Sequence, residues 1–185
     1  MTDLLRVKNL AVNFFTQAGI INAVKNISFR VQPGSTVALV GESGSGKSVT
    51  AQAIMGLLPR YARIDNGSIL FANQKAKDTH KTIDIAQFQS NDKRFKNIRG
   101  NCISMIFQEP MTSLSPLHTI GNQISESVLI HQSSSASEAK RLSIEMLDRV
   151  GFPNPKQAYD SYPFELSGGL RQRAMISMAL ICRPS

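Results

Sequence analysis

Residues 41–48 read Gly-Glu-Ser-Gly-Ser-Gly-Lys-Ser, a full match to the phosphate-binding pattern G-x-x-x-x-G-K-[ST]. No other stretch constrains the fold as much, because the pattern works only between a strand and a helix. Ser35–Val40 supplies a β-branched, apolar run before it. After it, residues 49–58 place Ala51, Ile54, Met55 and Leu58 at helical spacing. Strand, loop and helix is the order that an α/β phosphate-binding fold requires.

The loop's composition specifies its chemistry. Gly41, Gly44 and Gly46 let the backbone turn its N–H groups inward, where a side chain would block a phosphate. Glu42, Ser43 and Ser45 fill the variable positions, and Val49 follows the motif. A helix starting near Lys47 adds its positive dipole end. Lys47 is expected to reach the β- and γ-phosphates of a bound nucleotide, and the Ser48 hydroxyl to ligate Mg²⁺.

Length and composition fit one soluble domain with a real core: 185 residues, 42% hydrophobic. No window approaches 18 uninterrupted apolar residues, and the amino terminus has no basic-then-apolar leader pattern. Cys102 and Cys182 lie in apolar surroundings and read as buried free thiols. The net charge of +8 is partly local, with Lys75, Lys77, Lys81, Lys93, Arg94, Lys96 and Arg99 in one stretch. Aromatics there are sparse and no zinc-ligand or RNA-recognition pattern accompanies them. The stretch reads as a solvated surface insert, and no nucleic-acid partner is expected.

Leu5–Val7 and Leu10–Phe14 look like strand, with Leu10, Val12 and Phe14 alternating. Val24–Val31 is a further strand, Pro33-Gly34 a turn, and Asp65-Asn66-Gly67 another turn before Ile69–Phe71. Residues 73–100 are polar and irregular. Cys102–Phe107 reads as a buried strand ending at Gln108. Helical patterns then cover Ile120–Ile130, a capping-box helix from Ser135 and Glu138 to Val150, and Leu170–Cys182. A β-rich first part therefore carries a helical second part.

Leu166-Ser167-Gly168-Gly169 precedes the last helix. Ser167 suits an N-cap, and two glycines permit close backbone approach by a ligand, which makes a second anion site of the same construction. By itself the tripeptide is equally an ordinary helix start. Taken with the other motifs, the chain resembles the ATP-binding cassette ATPases. Leu166–Arg173 looks like that family's signature, Gln108 like its Q-loop glutamine, and residues 41–48 like its first nucleotide motif. Residues 40–48, 105–114 and 162–169 are similar to the oligopeptide, dipeptide and nickel importer branch.

The resemblance spans roughly residues 4–184 and implies a fold and a mechanism. The fold is an α/β P-loop NTPase, a RecA-like core with an antiparallel β subdomain and an inserted α-helical subdomain. Residues 1–110 would form the nucleotide-binding core with its β subdomain, 111–173 the helical subdomain, and 174–185 the start of the return to the core. Phe14 would stack on adenine, with Phe15 as the alternative. Lys47 and Gln108 would serve catalysis, Gln108 touching Mg²⁺ and the attacking water. Leu166, Ser167, Gly168, Gly169 and Leu170 would meet the γ-phosphate of an ATP held by a second subunit. Partners would be that second ATPase subunit, transmembrane permease subunits and, indirectly, a substrate-binding protein, at the cytoplasmic face of the membrane.

Some positions depart from the family. Leu170 stands where the family at large has Gln, and Val49 offers no hydroxyl after Ser48. The family's apolar strand ending in an Mg²⁺-organising Asp and a catalytic Glu, and its switch His, find no match. Ile83-Asp84 lacks the apolar run, and Met146-Leu147-Asp148 lies in a helical pattern. The polypeptide is therefore expected to be an amino-terminal piece of a longer ATPase, inactive alone. Two other readings compete with a peptide importer: a soluble cassette ATPase working on nucleic acid or ribosomes, and a nucleotide-binding fragment without catalysis. Residues 110–116 resemble importers and favour the peptide importer.

Overall fold

A computed structural model describes residues 3–73, 82–89, 92–108, 113–132 and 134–185. The chain divides into two compact units, Met1–Lys96 and Asn97–Ser185.

The first unit is built on an antiparallel sheet. Strands β1 (Leu5–Thr16), β2 (Gly19–Val31), β3 (Ala62–Ala72) and β4 (Thr82–Asp84) lie in the order β2-β1-β3-β4. Val7, Leu10, Val12, Val24, Ile69 and Phe71 are buried on one face, and helix α1 (Lys47–Ile54) packs there against β1 and β2 through Thr50 and Ala53. Alternation along β1 is broken once. Asn9 takes φ 47° and the register shifts between Lys8 and Ala11, so Val7 and Leu10 share the buried face despite odd spacing. Opposite this bulge, Gly67 (φ 102°) comes so near that a Cβ would stand 2.6 Å from the carbonyl oxygens of Lys8 and Asn9. Asp65-Asn66-Gly67 is thus a bulge inside a continuous β3, not the turn expected from its composition.

Two further expectations fail here. Ser35–Val40 is in no strand, with Val37 43%, Leu39 44% and Val40 93% exposed. Residues 102–107 likewise form only an isolated bridge, Arg99 to Ile103, and leave Ile106 and Phe107 exposed. β-branched runs become strands only when a neighbour supplies their ladder hydrogen bonds. Among the described residues neither run has one. Conversely, the polar stretch after β3 contains structure that its composition hid. Asp84 Oδ1 accepts from the N–H of Ile69 at 2.8 Å and of Ala86 at 3.1 Å, tying β4 to β3 and capping a 3₁₀ turn over Ile85–Gln87. One helical turn, α2, covers Phe95–Ile98. Lys75, Lys77 and Lys81 lie outside the described residues.

The second unit is helical: α3 (Ile120–His131), α4 (Ala136–Arg149), α5 (Pro155–Asp160) and α6 (Gly168–Leu180). Ala139, Ser143, Met146 and Leu147 give α4 a buried stripe at helical spacing, facing Ile120, Ile124 and Val128 of α3. Ser135 caps α4 as expected, accepting from the Glu138 N–H at 3.2 Å. Its core holds a closed polar set: Ser125 Oγ lies 2.9 Å from Ser143 Oγ and 3.0 Å from the Tyr159 hydroxyl. Asp148, a rejected candidate for the catalytic acid, is in α4, and Asp84 is spent on its capping bonds. Cys102 and Cys182 are buried, the Cys102 thiol donating to the Asn97 carbonyl at 3.3 Å and the Cys182 thiol to the Ser127 carbonyl at 3.4 Å.

Candidate functional site

The phosphate-loop residues are brought together within the first unit, and the sequence accounts for how. Gly44 (φ 80°) and Gly46 (φ 90°) take backbone conformations that L-residues avoid. At Gly46 the approach is also tight. A Cβ there would stand 2.5 Å from the Ala23 carbonyl oxygen and 3.2 Å from Val24 Cγ2, so glycine seats the start of α1 directly on β2. Thr50 secures the turn behind it, its buried hydroxyl donating to the Gly46 carbonyl at 2.9 Å. At Gly41 a Cβ would stand 2.5 Å from Ser45 Oγ, inside the loop's mouth.

Lys47 is held over this loop by its own backbone. Its ammonium donates to the carbonyls of Gly41 at 2.7 Å and Glu42 at 2.6 Å, and to Ser45 Oγ at 3.2 Å. The two short bonds fix the charge, and the third is the longest of the three. Helix α1 starts at Lys47 with no side-chain cap on its first turn and no acidic residue there. Its leading N–H groups and dipole are therefore presented to an anion without a competing carboxylate. Ser48 is exposed at the second helical position, beside Lys47. The donor set fits a triphosphate, with a hydroxyl suited to a magnesium ion among its oxygens.

Strand geometry separates the two phenylalanines. Phe14 shares its face with buried Val12, and Val12 pairs with Val24, the residue under Gly46. Phe14 thus stands one side-chain step, about 7 Å, along the strand from the loop's seat. Phe15 points to the other face, where the Arg63 guanidinium covers its ring at 4.1 Å from the centroid. Alternation along β1 thus puts Phe14, and not Phe15, on the face of Val12.

In the second unit, Gln108 is exposed, and the residues 109–112 that follow it lie outside the described set. Ser167 is the N-cap of α6, accepting from the Leu170 N–H at 3.4 Å. Leu166 anchors the motif in the core at 8% exposure, while Ser167, Gly168 and Gly169 face solvent. Unlike Gly46 or Gly67, neither Gly168 nor Gly169 has any atom within 4 Å of where a Cβ would be, and neither takes positive φ. Among the described residues nothing demands glycine at two successive helical positions, where it weakens a helix. The open backbone suits a ligand presented from outside the chain. Arg171, just inside α6, donates to the Pro163 carbonyl at 2.7 Å and so fixes the motif against the preceding 3₁₀ turn, Pro163–Glu165.

Sequence reasoning missed Tyr61. It stands just before β3, 58% exposed, its ring centroid 5.7 Å from that of Phe14. A lone Tyr after Pro59-Arg60 carries no pattern, and only the β1–β3 register reveals its neighbour.

Together these features define a nucleotide-binding protein of the phosphate-loop class. The chain belongs to the ABC transporter family, whose model matches residues 24–185. It is 46% identical over 185 residues to the dipeptide transport ATP-binding protein DppD of Bacillus subtilis, covering 100% of this chain and 52% of that one. It is 43% identical to the glutathione import ATP-binding protein GsiA of Escherichia coli O1:K1, covering 99% of this chain and 29% of that one. The chain thus spans about half the length, or less, of these curated relatives. Among solved structures it resembles a dimeric ATP-binding cassette in a post-hydrolysis state with ADP and Pi. The TM-score is 0.80 at 25% identity, covering 97% of this chain and 70% of that one. The fold is thus that of an ABC ATPase cassette. Among the described residues, no helix is long and apolar enough to cross a membrane.

Proposed function

We propose that this chain is the ATP-binding part of an importer's energy-coupling subunit, which couples ATP binding and hydrolysis to peptide uptake at the cytoplasmic face of the membrane. The observation that carries the reading is the glycine-lined loop 41–48. It is seated on β2, with Lys47 fixed over its mouth and the first turn of α1 uncapped. Cargo class rests on the relatives, whose names specify dipeptide and glutathione import.

In this reading Lys47 turns its third donor from Ser45 Oγ to the terminal phosphates, and the N–H groups of the loop and α1 bind the remaining oxygens. Magnesium, when bound, supplies neutralisation of the phosphate charge. Ser48 would hold it in the first unit, and the resemblance alone supports a magnesium and water-orienting role for Gln108. Phe14 stacks on the base. Ser167, Gly168 and Gly169 receive the γ-phosphate of a nucleotide bound to a second subunit, so that binding closes the pair and hydrolysis opens it. The transmembrane subunits dock on the helical unit, where Leu117 is 81% and Phe164 67% exposed. A substrate-binding protein delivers cargo on the far side, and no nucleic acid takes part.

The test is phosphate release by the natural protein assembled with its permease in vesicles. Peptide with its binding protein should stimulate turnover, and a Ser167→Arg variant should bind ATP yet not turn over. Stimulation by RNA or ribosomes, with none by peptide, would replace the importer reading with that of a soluble cassette ATPase.

A further inference from the structure

We propose that Tyr61 is a second wall of the nucleotide-base site, standing beside Phe14 and contacting the purine ring of a bound nucleoside triphosphate. The inference rests on the reading of Phe14 as the base-stacking residue and extends it to a side chain from another strand.

The placement follows from the sheet register. Phe14 pairs with Ile21 on β2 and with Ala62 on β3, so its ring stands between the two neighbouring strands on the face that seats the phosphate loop. Tyr61 immediately precedes Ala62, and its carbonyl accepts the Phe15 N–H at 2.7 Å, which pins its backbone to β1. From there its ring reaches Phe14, with centroids 5.7 Å apart and planes inclined at 59°. The rings are tilted rather than stacked. They leave other faces open to a third π system, as a parallel pair at stacking distance does less readily.

Exposure points the same way. Tyr61 is 58% exposed and Ile21, on Phe14's other side, is 57% exposed. A corner of one tyrosine, one phenylalanine and one isoleucine, open to solvent and one side-chain step from a phosphate cradle, suits the flat apolar face of a purine. Contrast the other face of the same strand. Phe15 there already carries the Arg63 guanidinium on its ring. The contact proposed is ring against ring, so it tolerates adenine and guanine alike.

The experiment measures binding to the natural protein by calorimetric titration, with ATP and inorganic tripolyphosphate as separate probes. Tyr61→Ala should weaken ATP about five- to tenfold, the low end for one aromatic partner of a base. It should leave tripolyphosphate unchanged, and Tyr61→Phe should stay within about twofold of wild type. Unchanged ATP affinity in Tyr61→Ala overturns the inference. So does an equal loss for tripolyphosphate, which would mark a general disturbance of the loop. A Tyr61→Phe loss as large as that of Tyr61→Ala also overturns it, because the ring would then not be the contact. Phe14→Ala, run in parallel, separates the two claims. A loss in Phe14→Ala without one in Tyr61→Ala sinks only the role of Tyr61, whereas no loss in either sinks the base site itself.

Discussion

Replacing Gly169 with Ala should stabilise the protein and damage its function. Gly169 is the second residue of α6, has helical rather than positive φ, and offers open space where a methyl would go. Glycine in a helix costs about 0.5–1 kcal/mol relative to alanine, mostly through backbone freedom lost on folding. No clash with the described residues offsets the gain, so Gly169→Ala should raise the melting temperature of the nucleotide-free protein by roughly 1–4 °C. The same methyl would stand where the proposed partner's γ-phosphate approaches the backbone. ATP-driven pairing, followed by light scattering with a slowly hydrolysed analogue, should weaken about tenfold or more, the cost of a displaced charge-assisted hydrogen bond. Binding of ATP to the single subunit should not change. A lower melting temperature would show that the glycine serves the fold. A higher one with normal pairing would show that the open backbone serves no external ligand.

Other substitutions test the packing. In Gly121→Ala the new methyl meets the Tyr159 ring at 2.3 Å, against a tyrosine held by Ser125, and the helical unit should lose about 1–3 kcal/mol in urea unfolding. Phe15→Ala removes the seat of Arg63 on the outer face of the sheet and should leave ATP affinity within about twofold, since that face is remote from the loop. Hydrogen bonds from the Arg94 side chain, then from its backbone, hold the Asp92 carboxyl at about 2 against an ordinary 3.8. A depressed carboxyl stabilises the fold above its unfolded value and loses that contribution as pH falls from near 4 toward 2. Carboxyl NMR should find Asp92 titrating near 2 and returning toward 3.8 in Arg94→Ala.

Legibility in the sequence followed locality. The phosphate loop, the Ser135 and Ser167 caps, and the stripe of α4 were readable because each depends on residues within one or two turns. That the runs before the loop and before Gln108 do not form strands was not readable, since a β-branched, apolar run does not record the presence of a partner to pair with. The Asn9–Gly67 bulge hid for a related reason. Two separated residues compensate each other across strands, so Asp65-Asn66-Gly67 carried the composition of a turn without being one. β4 was missed because a side chain, Asp84, replaces part of its ladder. Tyr61 escaped because only register brings it beside Phe14.

The central claim is that residues 41–48 hold a triphosphate through Lys47, and an equilibrium titration of ATP into the natural protein and its Lys47→Ala variant tests it most directly. The variant removes an ammonium already fixed by the Gly41 and Glu42 carbonyls, with its third donor on Ser45 Oγ. A lost charge-assisted contact of about 1.5–3 kcal/mol predicts that affinity falls roughly 10- to 150-fold, with the folded state intact by circular dichroism. Equal affinities in the two proteins would contradict the account.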